Sequence, residues 1–194
     1  NKISEIRPNS FYGLSSLTQL KLDSNVIRQI DSNTFRGLIN LKVLWIDSNA
    51  IIEIRPNAFK DLTKLEELDV GKNKIRYIDS TLLKNLSLLE GILFSENRIE
   101  EIHCDAFVNL VNLKQCLLNK NKLSCIEPKL FVNQSKLEKL DLSENQLEEL
   151  QFEIFTNLVN LKELSLNNNK LTQIDPRLFE NLNKLEKLSL SNNQ

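Results

Sequence analysis

Four glycines in the whole chain are too few for a Gly-rich loop that cradles phosphate. A single histidine, His103, leaves acid–base and metal chemistry without its usual residue. No run approaches the roughly 18 apolar residues that a bilayer-spanning helix needs, and the opening Asn-Lys-Ile-Ser has none of the hydrophobic stretch of a signal peptide. Charge of one sign is lacking as well. The 25 basic and 26 acidic side chains leave a formal net charge of −1, which gives no electrostatic footprint for nucleic acid or an anionic membrane. Apolar residues at 41% and charged residues at 26% describe a globular chain and not a disordered one. Its 194 residues suit one domain.

Two residue types are in excess: leucine occurs 37 times and asparagine 25 times. Such a skew points to an internal repeat. Asparagine recurs every 24 residues without a slip, at Asn1, Asn25, Asn49, Asn73, Asn97, Asn121, Asn145, Asn169 and Asn193. Leucine or another apolar residue stands three, five and eight positions before each of them from Asn25 onward, as in Leu22, Leu20 and Leu17 or in Leu142, Leu140 and Leu137. Isoleucine or leucine follows two and five positions later, and phenylalanine ten positions later in seven of eight repeats, with Leu83 as the exception.

The pattern L-x-x-L-x-L-x-x-N-x-[IL]-x-x-[IL]-x-x-x-x-F-x-x-L-x-x resembles the leucine-rich repeat family, in its 24-residue "typical" class, over the full length. The resemblance implies an α/β horseshoe solenoid, with one curved parallel sheet on the concave face and a mostly irregular or short-helical convex side. The unit itself explains why it must stack. Around Leu20 and Leu22 the chain alternates apolar and polar, the period of a strand. One strand of roughly five residues cannot bury its own apolar face, but neighbours about 4.8 Å apart join theirs into one core. Strands are expected near 19–23, 43–47, 67–71, 91–95, 115–119, 139–143, 163–167 and 187–191. Each repeat asparagine should bond backbone groups that the turn leaves free, and the phenylalanines should form a continuous stack. Pro8, Pro56, Pro128 and Pro176, all seven after a repeat asparagine, argue for extended or turn-like return segments. Residues 1–194 read as a single array of eight repeats without polar caps, the expectation for a piece of a longer chain.

Outside the repeat, little carries chemistry. Cys116 takes a strand leucine's place and reads as a small buried hydrophobe. Cys104 and Cys125 lie in adjacent turns and could pair as a disulfide or stay free. His103 beside Cys104 lacks a further ligand at metal spacing, so neither a metal site nor a cofactor is implied. Two glycosylation sequons, at Asn85 and Asn133, share one phase of the repeat and read as exposed. Gln134 interrupts a row of seven leucines and is expected to turn outward, loosening repeat 121–144. The serines lack a neighbouring base, so no enzyme is expected.

Alternation leaves the residues six, four and two before each asparagine facing out. Four are apolar without a scaffold reason: Val43, Trp45, Leu93 and Leu117. Trp45 is the one tryptophan of the chain, and exposed tryptophan is common in interface hot spots. Asp47, Glu67 and Asp69, with Asp23, make that end acidic. The expected binding strip is therefore Val43, Trp45, Asp47, Glu67, Asp69, Leu93 and Leu117. The resemblance to extracellular animal arrays (Slit-type factors, Toll-like receptor ectodomains, matrix proteoglycans) implies an extracellular protein, secreted or membrane-anchored, that binds a protein ligand or receptor; the charge balance argues against nucleic acid. An architectural spacer with its ligand site elsewhere is the competing expectation.

Overall fold

The computed structural model describes residues 1–194. Eight three-residue strands form one parallel sheet in chain order: Gln19–Lys21, Val43–Trp45, Glu67–Asp69, Gly91–Leu93, Gln115–Leu117, Lys139–Asp141, Glu163–Ser165 and Lys187–Ser189. The register advances by one repeat per strand, so that Lys21, Trp45, Asp69, Leu93 and Leu117 stand in a single row. The strands are shorter than the pattern suggests because the chain bends sharply just after them. The residue before each repeat asparagine, from Ser24 to Asn192, lies in the left-handed region with φ between 51° and 57°. That bend ends the pleat, although the ladder continues past it: Leu22 N–H donates to the Trp45 carbonyl and Ser24 N–H to the Asp47 carbonyl. The residues at this bend, among them Ser48, Lys72, Glu96 and Lys120, are neither glycine nor β-branched, so composition does not mark it.

The repeat asparagine secures the bend. Asn121 is typical: its amide nitrogen donates to the carbonyls of Leu118 at 2.9 Å and, in the preceding turn, Phe94 at 3.0 Å. Its Oδ1 accepts the N–H of Ile99 in that preceding turn at 2.9 Å. Asn49, Asn73, Asn97, Asn145, Asn169 and Asn193 repeat the same three bonds. One side chain thus satisfies two carbonyls and one N–H that the turn would leave buried and unpaired.

Leu44, Leu68, Ile92, Cys116 and Leu140 point inward from the strands and are fully buried. They belong to a single core of 50 residues running from Ile6 to Leu182. Phe35, Phe59, Phe107, Phe131 and Phe155 fill its far side. Their rings do not make one continuous stack. Phe11, Phe35 and Phe59 stack at 6.2 and 5.9 Å, Leu83 interrupts the row, and Phe107 and Phe131 meet tilted by 46°. Gln134 does not turn outward. It is completely buried in the leucine row, where its amide nitrogen donates to the Phe107 carbonyl at 2.7 Å and its Oε1 accepts the Asn133 N–H at 3.2 Å. Glutamine is near leucine in length, and the turn beside it presents both a donor and an acceptor, so the polar group is buried without an unmet bond.

The return side is not wholly irregular. Besides the main sheet, two-residue parallel pairs join Gln29–Ile30 to Glu53–Ile54 and Tyr77–Ile78 to Glu101–Ile102. The helical content is two 3₁₀ turns, Pro128–Phe131 and Phe152–Phe155, the first opened by its proline. A second polar ladder runs along this path. Asn40, Asn112 and Asn160 donate to backbone carbonyls one turn back, and their own Oδ1 atoms accept from Lys64, Lys136 and Lys184 one turn on. At the two ends the core meets solvent, with Ile3 and Leu14 exposed at one and Leu188 at the other. No helix is long and apolar enough to cross a membrane.

Asn121→Ala leaves two buried carbonyls and one buried N–H to find new partners, at about 1–3 kcal/mol for each group that finds none. The expected loss in denaturant unfolding is at least about 3 kcal/mol. A loss below about 1 kcal/mol would mean that the turn holds itself without the amide. Phe59→Ala should cost about 3–5 kcal/mol by opening a cavity between two stacked turns.

Candidate functional site

The seven expected strip residues lie on the outward side of the concave sheet, and all seven are half-buried. Trp45 occupies the middle of its row between Lys21 and Asp69. It is pinned from two sides: the Lys21 ammonium sits 3.9 Å from the ring centroid, and the indole N–H donates to Glu67 Oε1 at 2.6 Å. One ring face is therefore covered by Lys21, its neighbour in the same row. The signal for it was present, since Lys21 stands one repeat before Trp45. Across the register Trp45 and Leu93 flank Asp69, and Leu93 and Leu117 are adjacent. Two strand spacings are about 10 Å, so these side chains form one strip.

The charges of this face divide it into two regions. Toward the C-terminal end Glu163 bridges Lys139 and Lys187, which neutralises that stretch from within. Along the edge of the sheet Lys42 pairs with Glu66, Lys114 with Glu90 and Lys162 with Glu138 at 2.7–2.8 Å. Asp23, Asp47, Glu67 and Asp69 have no such partner; they bond only to neutral donors or to none, as Asp47 to the Ser48 hydroxyl and Asp69 to the Gly71 N–H at 2.8 Å. Partial burial raises the Asp69 carboxyl above the ordinary value of 3.8; the Gly71 N–H pulls it down, Asp47 and Glu67 push it up further, and Lys72 offsets part of that. An acidic patch with apolar residues in its midst, and no ion pair of its own, thus lies at one end of the sheet.

The other candidate groups lie away from it. Cys104, Cys116 and Cys125 are all free thiols, so the candidate Cys104–Cys125 bridge is not formed. Cys116 is wholly buried, and burial pushes its thiol far up. His103, Cys104 and Asp105 bring donor atoms within 4.8 Å of one another on the return side. The His103 Nδ1 there accepts the Asp105 backbone N–H at 3.1 Å, which commits that nitrogen to the turn. Asn85 and Asn133 are exposed, and each amide donates to a carbonyl one turn back, Lys60 and Val108.

The family models for leucine-rich repeats match this chain twice, as "Leucine rich repeat" over residues 135–194 and as "BspA type Leucine rich repeat region" over residues 4–124. The chain belongs to the leucine-rich repeat family. Solved structures agree. TLR13 in its complex with ssRNA13 superposes with a TM-score of 0.90 at 29% identity, over 97% of this chain and 26% of TLR13. The internalin inlF of Listeria monocytogenes gives 0.79 at 30% identity over 98% of this chain and 52% of its own, and a leucine-rich repeat protein of Leptospira interrogans gives 0.84 at 29% identity over 93% and 44%. This leucine-rich repeat chain thus spans about a quarter to a half of the length of these structures. No curated protein matches it.

Two tests follow for this leucine-rich repeat protein. A carboxyl whose folded pKa is raised contributes most below its ordinary pKa, and that contribution is lost as pH rises through the folded value. Asp69→Asn, which keeps an acceptor for the Gly71 N–H, is therefore expected to raise the unfolding midpoint at neutral pH. The gain should shrink as pH falls and vanish below 3.8. An equal gain at all pH values would show that Asp69 ionisation is not the cause. For the thiols, titration should count two in the native protein, Cys104 and Cys125, and three once Cys116 is exposed by unfolding. A single thiol after unfolding without reductant would establish the bridge instead.

Proposed function

We propose that this protein is a non-catalytic recognition module that binds a protein partner on its concave face. One observation carries the reading. Val43, Trp45, Leu93 and Leu117 sit on the side of the strands that the scaffold leaves free, beside four carboxylates that form no ion pair. The inward residues bury the core whether or not these four are apolar, and an apolar strip rimmed by charge is what a protein interface offers at its centre. The partner presents apolar anchors with flanking lysine or arginine. Glycans on Asn85 and Asn133 would stand on the return side and leave this face clear.

An extracellular setting rests on the resemblance of the 24-residue period to extracellular arrays. The recognition itself needs only an accessible concave face. The similarity to TLR13 in its RNA complex raises a nucleic acid as the other partner class. Asp23, Asp47, Glu67 and Asp69 oppose it, since phosphate contacts supply most of nucleic-acid affinity and need basic residues in their place.

The test uses the partner recovered by photo-cross-linking from position 117. Trp45→Ala should weaken that partner's binding by about 2 kcal/mol or more and leave thermal stability nearly unchanged. Ser165→Ala, in the same row at the neutralised end, should change neither. Normal binding by Trp45→Ala would leave the array as a spacer, and recovery of RNA alone would overturn the protein-partner reading.

A further inference from the structure

The outward row that runs Gln19, Val43, Glu67, Gly91, Gln115, Lys139, Glu163, Lys187 lacks a side chain at one place only. Over Gly91 the sheet surface opens a notch of about 380 Å³, walled by Val43 and Leu93 and rimmed by Glu66, Glu67, Glu90 and Lys114. Glycine is not there for the backbone. Its φ is not left-handed, unlike those of Gly13 and Gly37, and an added Cβ would touch only Glu67 Cγ at 3.8 Å and Leu93 Cδ1 at 3.9 Å, both ordinary contacts. What the missing side chain provides is room.

The rim decides what that room accepts. Glu66 is matched by Lys42, and Glu90 is matched by Lys114. Glu67 has no cation. Its Oε1 takes the Trp45 indole N–H, and Oε2 is free of any hydrogen bond or ion pair. Asp69, the next outward residue of the same strand, forms no ion pair either, but it is turned away to the Gly71 N–H. The notch therefore offers two aliphatic walls and one carboxylate outside any ion pair, that of Glu67. An anion would meet like charge. A purely apolar side chain would cover Glu67 without compensating it. A long side chain with an aliphatic stem and a cationic head satisfies both parts, the stem along Val43 and Leu93 and the head at the Glu67 carboxylate. A guanidinium suits this carboxylate better than an ammonium, because its planar fork can donate to Glu67 and lie against the indole that Glu67 holds.

We propose that the notch over Gly91 is the anchor pocket for an arginine side chain of the protein partner, with Glu67 as its counter-charge. This rests on the concave-face reading above and narrows it to one place and one residue type. It also assigns Gly91 and Glu67 to specificity, and Trp45 to holding the Glu67 carboxylate in position.

The experiment is an amide-shift NMR titration of the protein with the peptide acetyl-Leu-Arg-Leu-amide and with its acetyl-Leu-Gln-Leu-amide counterpart. The arginine peptide should give saturable shifts at Glu67, Gly91 and Leu93 and at the Trp45 indole, and the glutamine peptide should bind at least tenfold more weakly. Gly91→Gln places in the notch the residue that Gln19 and Gln115 already carry in that row, and it should weaken the arginine peptide at least tenfold with an unchanged melting temperature. Glu67→Gln keeps an acceptor for the Trp45 indole and should do the same, so the result does not hang on one variant's folding. Equal binding of both peptides, or undiminished binding by Gly91→Gln, overturns the pocket. So does the lack of any saturable shift up to about 10 mM peptide, well above a Kd near 1 mM. Saturable shifts confined to other concave residues, such as Leu117 and Asn119, also overturn it while leaving the concave-face reading in place, which the Trp45→Ala comparison decides separately.

Discussion

A buried carboxamide that must satisfy three backbone groups at once is the constraint on which this array rests. In each turn the chain leaves its strand through a left-handed residue, and the asparagine that follows takes up carbonyls of its own turn and of the turn before. Aspartate would place an unpaired charge there, and leucine would leave the carbonyls without a donor. The bonds run between turns as well as within them, so each asparagine also fixes the spacing to its neighbour. Strand register follows, and with it the burial of Leu44, Leu68, Ile92 and Leu140 in a single core.

With the scaffold fixed from inside, the outward strand positions are released from structural duty. At one end they are spent on self-neutralisation, where Glu163 lies between Lys139 and Lys187. At the other end they collect Trp45, Leu93 and Leu117 among carboxylates that no lysine pairs with. A surface that had only to remain soluble could use the first arrangement throughout. The departure from it, together with the notch over Gly91, gives the concave face a direction and a place where a partner's side chain can be distinguished from others.

The repeat made most of the fold legible. A period of 24 held by Asn, Leu and Phe fixes strand positions, the inward set and the role of the asparagines, because each depends on a residue that recurs in phase. What stayed hidden depends on residues that do not recur. Gln134 reads as a flaw in the leucine row, yet the turn beside it supplies the two bonds its amide needs. The Asn40–Lys64 and Asn112–Lys136 links alternate between repeats, so a search for identity in one phase passes over them. At the candidate site the strip was readable from strand alternation. Lys21 over Trp45 and the space at Gly91 are properties of neighbouring turns taken together, which a row-by-row reading does not measure.

Residues that build the array are distinct from residues that face a partner, and one variant addresses that separation directly. Threonine at positions 43, 45, 93 and 117 together keeps strand preference while removing the apolar strip. The unfolding midpoint and the partner affinity of this fourfold variant would be measured side by side. The account predicts a midpoint within roughly 10 °C of the parent, corresponding to a few kcal/mol at most, and binding lost altogether. A variant that unfolds, or one that folds and binds as the parent does, would contradict it.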